Sequence, residues 1–125
     1  FGLPNDTLQS MQNTLDFAIE NSTDMANFYS AMAYPGSPLY LDAKRNGMEL
    51  PSTYSGYSQH SYDSLNMSNE NLTSAQILEF RDMAWDKYHT SPKYVNQLEK
   101  KFGLAAKNEL ENTTKVSLKR KLLGD

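Results

Sequence analysis

The sequence predicts an α/β chain. The last βα units of a parallel sheet are expected over residues 1–47, an aromatic and Ser-rich loop over 48–72, and a mostly helical extension over 73–125. Three observations predict this. Phe1-Gly2-Leu3-Pro4-Asn5-Asp6 has the composition of a strand end running into a tight turn. An amphipathic helix and then a short aromatic stretch follow, which is the strand–helix–strand order of a βαβ unit. From Thr73 onward, capping residues and helical spacing dominate.

Taken in order, Asp6 is placed to cap the first helix, with Gln9 completing a capping box. Leu8, Met11, Leu15, Ala18 and Ile19 recur at helical spacing to about Asn21. Met25–Ala33 carries no charged residue and is rich in aromatics, as suits a strand covered on both faces. One βαβ unit cannot close a sheet, so the chain is expected to be a piece of something larger. Tyr34-Pro35-Gly36 breaks the strand, and Ser37-Pro38 starts a short helix ending near Gly47. Met48–Asn71 is long and irregular, but Tyr54, Tyr57, His60 and Tyr62 favour an ordered loop over a linker. Thr73 and Gln76 form a capping box ahead of the stripe Ile77, Phe80, Ala84 and Tyr88, which Leu78 and Trp85 widen. Ser91-Pro92 opens the next helix, which Gly103 ends. Leu104–Leu123 is expected as a weakly amphipathic last segment, its Lys119-Arg120-Lys121 complementing a helix C-terminus.

Composition removes several classes of function. The chain has 125 residues, 38% of them apolar, and a net charge of −3, so neither nucleic acid nor an anionic membrane is indicated. No apolar run approaches the roughly 18–20 residues that span a bilayer, and the N-terminus has no leader-like layout. A cytoplasmic location is expected. There are no cysteines, hence no disulfide, thiolate metal site or cysteine nucleophile within these residues. Asn-x-Ser/Thr triplets at Asn5, Asn21, Asn66, Asn71 and Asn112 read as chance in an Asn-rich chain. Paired carboxylates, His-x-x-x-His, a nucleophile elbow and a phosphate loop are all absent from the sequence. No catalytic or metal-ligating residue is nominated. His60 is the loop histidine that could touch a substrate, while His89 is explained by the dipole of its helix. Trp85 and Phe80 read as core.

Two stretches carry a resemblance. Phe1-Gly2-Leu3-Pro4-Asn5-Asp6-Thr7, spaced by a helix from Asn27-Phe28-Tyr29 and Tyr34-Pro35-Gly36-Ser37-Pro38-Leu39-Tyr40, resembles the late βα units of radical S-adenosylmethionine (SAM) barrels. The tail resembles the C-terminal extension of one branch of that family. It does so through Ser55-Gly56-Tyr57, His60-Ser61-Tyr62, Phe80-Arg81 and Leu118-Lys119-Arg120-Lys121-Leu122-Leu123-Gly124-Asp125. That branch carries a cobalamin-binding domain and includes proteins similar to the anaerobic magnesium-protoporphyrin ester cyclase. The family commonly has Gly where Asn5 stands, and Asn tolerates the left-handed backbone such a turn needs. The cluster-binding Cys-x-x-x-Cys-x-x-Cys motif is absent here; in the family it lies well upstream.

The resemblance implies a [4Fe–4S] cluster that cleaves SAM to a 5′-deoxyadenosyl radical, with cobalamin as a further cofactor. It implies Gly2, Leu3, Pro4, Asn27, Tyr29 and Ala31 beside SAM, the small Gly2 allowing close approach. Phe28, Ser30 and Met32 would pack on helices. Tyr34, Pro35, Tyr57 and His60 would bound a small-molecule substrate, with the Tyr54–Tyr62 loop as a lid. The missing N-terminal part of the same chain would be its partner. The competing expectation is a self-contained helical module that binds a partner through its aromatic loop and catalyses nothing.

Overall fold

Helix starts follow side-chain caps. Thr7 accepts from the Ser10 N–H, and the Ser10 hydroxyl accepts from the Thr7 N–H, opening α1 (Leu8–Asn21). Asp6, the expected cap, instead accepts from the Leu3 N–H and the Ser10 hydroxyl. Ser37 and Pro38 open α2 (Pro38–Arg45), Thr73 and Gln76 open α3 (Ser74–His89), and Ser91 and Pro92 open α4 (Pro92–Phe102). Gly103, at a φ of 86°, turns the chain into α5 (Leu104–Thr114). The computed structural model describes residues 1–125 and holds these five α-helices, 3₁₀ turns at Tyr54–Tyr57 and Lys121–Leu123, and no strand.

The α/β expectation is therefore overturned: the fold is all-helical, and the chain does not form the end of a β/α barrel. The reason lies in the backbone partners of the stretch expected to be a strand. The Phe1 backbone nitrogen donates to the Tyr29 carbonyl at 2.8 Å and its carbonyl accepts from the Ala31 N–H at 2.7 Å, a single parallel bridge. The opposite edge is taken by side chains. The Gln59 amide serves both the N–H and the C=O of Ser30, each at 3.0 Å, and Arg81 Nε donates to the Phe28 carbonyl at 2.7 Å. With those groups filled, no ladder propagates. Nor is the stretch covered on both faces: Phe28, Ser30 and Met32 are buried, while Met25, Asn27 and Tyr29 are exposed.

The core is one cluster centred on α3. Met11 and Leu15 of α1 and Phe28 of the extended segment meet Leu72, Ile77, Phe80, Ala84 and Tyr88, with Tyr94 of α4. Fully burying a side chain such as Leu15 or Ile77 stabilises by about 1.5–3 kcal/mol. Phe1 stacks on Phe28 and meets Phe80 edge-on, at centroid separations of 5.5 and 5.1 Å. The Tyr88 hydroxyl donates to the Thr23 carbonyl and that of Tyr94 to the Asp24 carbonyl, pinning the turn after α1. Asn69 donates to the Leu3 and Asp6 carbonyls and so ties the long loop to the N-terminal turn. Asn66, only 2% exposed, is closed to glycosylation.

Two further expectations are corrected. The last helix ends at Thr114, and the chain continues extended to the 3₁₀ turn, so Arg120 caps no helix; it is fully buried. His89 is buried as well, its Nδ1 bonded to the Trp85 carbonyl at 2.7 Å among Trp85, Tyr88 and Tyr94. Burial lowers its pKa, so it is a neutral core residue and not a cation serving the helix dipole.

Candidate functional site

Three segments far apart in sequence meet at α3. They are Gln59-His60-Ser61-Tyr62, Phe80-Arg81-Asp82 and Arg120–Asp125. Arg120 reaches in from the tail. It grips Asp82 with Nε and Nη2, both at 2.8 Å, and donates to the Ser61 and Gln59 carbonyls at 3.0 Å. Asp82 also accepts from Arg81 Nη1 at 2.8 Å. Tyr62 closes the cluster, its hydroxyl donating to the Asp125 carbonyl while its own carbonyl accepts from the Lys121 N–H.

One carboxylate thus serves two guanidiniums. Burial alone would raise the Asp82 pKa, but hydrogen bonds from Arg120 and Arg81 hold it below the ordinary carboxylate value. Arg81 Nη2 lies 3.3 Å from His60 Nε2. A guanidinium has no acceptor, so His60 Nε2 must be the unprotonated nitrogen and Nδ1 must carry the hydrogen. Partial burial, then the charges of Arg81 and Arg120, push the His60 pKa down, against a smaller upward pull from Asp82. His60 is therefore neutral at pH 7.

Beside this cluster runs an open cleft of about 710 Å³, bounded by α3, Asn27, His60 and the Thr113–Leu118 stretch. Arg81 and Asp82 reach it on one side, and Met83, Trp85, Val116 and Leu118 supply its apolar surface.

The residues nominated from the sequence are dispersed. Asn27 and His60 share the cleft. Tyr34 and Tyr57 face each other at 6.1 Å, apart from it, with Pro35 exposed nearby in sequence. Leu3, Pro4 and Tyr29 are exposed, and Ala31 is half-buried with its N–H given to Phe1. Asn5 holds the left-handed turn at a φ of 68°. Gly2 has an internal explanation: a Cβ there would come within 2.7 Å of Ile77 Cγ2, so the close approach it permits is to α3. Arg81, Asp82 and Arg120 were not nominated. One signal pointed to Arg81, which stands four residues after Ile77 and three before Ala84, a charged residue on an apolar stripe.

Thiolates hold [4Fe–4S] clusters, and this chain has none, so its residues do not fit that group. No three His, Asp or Glu side chains gather to hold a metal ion. Asn27 and Tyr29 are exposed, and their side chains make no hydrogen bond within the chain. No helix is long and apolar enough to cross a membrane. No protein-family model matches the chain, and no match was found among curated proteins or solved structures.

Proposed function

We propose that this chain is the C-terminal portion of a cytoplasmic radical SAM enzyme of the cobalamin-domain branch, working against the N-terminal part of the same protein. When bound, a [4Fe–4S] cluster would supply reductive cleavage of SAM for hydrogen abstraction, methyl transfer or cyclisation on a small-molecule substrate. Its cysteines would lie outside these residues. The part proposed for this chain is to offer Asn27 and Tyr29 to SAM and His60, with Tyr34 and Tyr57, to substrate.

The observation that carries the reading is the meeting of the tail segments on which the resemblance rests. His60-Ser61-Tyr62, Phe80-Arg81 and Arg120–Asp125 form one hydrogen-bonded cluster. Segments that must meet to bury charge have a reason to occur together, which supports treating them as one pattern. The test is anaerobic reconstitution of the full-length protein with iron and sulfide, followed by SAM and a reductant. Release of 5′-deoxyadenosine is expected, with Asn27→Ala and Tyr29→Ala raising the KM for SAM.

A second reading has its own support. The core draws on α1, the extended segment, α3 and α4 together, as a self-contained helical binding module would. A full-length coding sequence without the three-cysteine motif, or reconstituted protein that leaves SAM intact, would discard the enzyme and leave the module.

A further inference from the structure

We infer that the cleft beside α3 binds a small monocarboxylate with an apolar body, its carboxylate held by Arg81 and its body lying along Trp85, Val116 and Leu118. The inference begins with unbalanced charge. Arg81 and Arg120 are 2% and 0% exposed, and the carboxylate that pairs with both guanidiniums is Asp82. His60, neutral, adds nothing. Among Arg81, Arg120 and Asp82 one positive charge is in excess on guanidiniums withdrawn from water, where an unpaired charge is costly and an anion is correspondingly welcome; Asp125 meets the cluster through the Arg120 N–H but is exposed. Asp86, on the same cleft, is exposed, so its charge is screened by solvent.

The geometry adds donors. A guanidinium has five N–H groups. Arg81 commits Nε to the Phe28 carbonyl, one hydrogen of Nη1 to Asp82 and one of Nη2 to His60. One N–H on each terminal nitrogen has no partner in the chain, and Arg81 lines the cleft. A planar carboxylate is the anion that accepts from two such N–H groups at once. The excess of a single charge favours a monoanion over a phosphate dianion. Beside the polar Asn27, Thr113, Thr114 and Ser117, the cleft has an apolar stretch in which Trp85 supplies a flat surface for a hydrocarbon or ring. Arg81 would hold such an anion whether or not the parent protein cleaves SAM, so either idea can fail alone.

Trp85 is the single tryptophan, and its indole N–H gives one resonance at the site. Titration of the chain with 3-phenylpropionate should shift that resonance saturably. The neutral 3-phenylpropanamide should bind at least about tenfold more weakly, since it forfeits charge-assisted bonds. Val116 is 70% exposed, so Val116→Glu keeps the fold while adding a repelling charge, and should weaken the acid relative to Val116→Gln. Arg81→Lys should erase the preference for acid over amide. Equal affinity for acid and amide, no Trp85 shift at millimolar probe, or equal acid binding by Val116→Glu and Val116→Gln would each overturn the inference.

Discussion

At the scale of single residues, Arg120 and Gly2 carry the most weight. The Arg120 side chain is 1% exposed and that of Asp82 25%, so removing one partner strands charge out of water. Arg120→Ala and Asp82→Ala are each expected to cost about 3 kcal/mol or more, the usual range for breaking a buried pair. The double variant should cost clearly less than their sum, because the second loss removes a charge already stranded. Urea denaturation of the four proteins checks this; additive losses would mean that the two side chains do not depend on each other. Gly2 separates two roles for a small residue. At a φ of 77° and against Ile77, Gly2→Ala must destabilise, by about 1–3 kcal/mol for strain and overpacking together. A variant as stable as the parent but deficient in SAM binding would return Gly2 to the cofactor.

At the scale of elements, Gln59 does what a neighbouring strand would have done for the extended segment. Its amide fills both backbone groups of Ser30. Gln59→Ala should expose that pair, cost about 1–3 kcal/mol and speed hydrogen exchange at the Ser30 amide selectively. Unchanged exchange at Ser30 would show that the bonds contribute nothing to holding the segment. This substitution of side chain for strand explains why the sequence misled about fold class. Aromatic density and a turn on either side of Met25–Ala33 are local signals for extended backbone, and the backbone is extended. Whether an extended segment joins a sheet depends on what lies across from it, and Gln59 is 29 positions from Ser30. The caps at Ser37, Thr73 and Ser91 were legible because a capping bond spans three residues. The end of α5 was not, since nothing local marks Thr114 as a stop; the tail is held by Arg120 reaching Asp82, 38 positions back. The site divides the same way. His60 stood out as a loop histidine, whereas Arg81, Asp82 and Arg120 matter only through partners that folding supplies.

At the scale of the whole molecule, the groups whose titration folding shifts predict how stability follows pH. His89 packs among Trp85, Tyr88 and Tyr94, and burial holds its pKa below the ordinary 6.5 in spite of an upward pull from the Trp85 carbonyl. His60 is depressed too, by its partial burial and the two guanidiniums. In the unfolded chain both regain the ordinary value, so as pH falls past 6.5 the unfolded state takes up protons first. Stability from the histidines is therefore complete above that pH and is lost as pH drops towards their lowered values. Asp82 acts in a separate window. Its pKa lies below the ordinary 3.8, so the stability it lends persists above that pH and is lost only as pH falls further. The urea midpoint should decline in mild acid, and decline again below about the carboxylate range. His89→Phe keeps an aromatic ring in the cluster but cannot take a proton. It should lower stability at neutral pH, through the lost bond to Trp85, while flattening the mild-acid decline; adding His60→Gln should flatten it further. A mild-acid slope unchanged in His89→Phe would mean that His89 titrates as it does in water, and its burial among the aromatic rings would have to be given up.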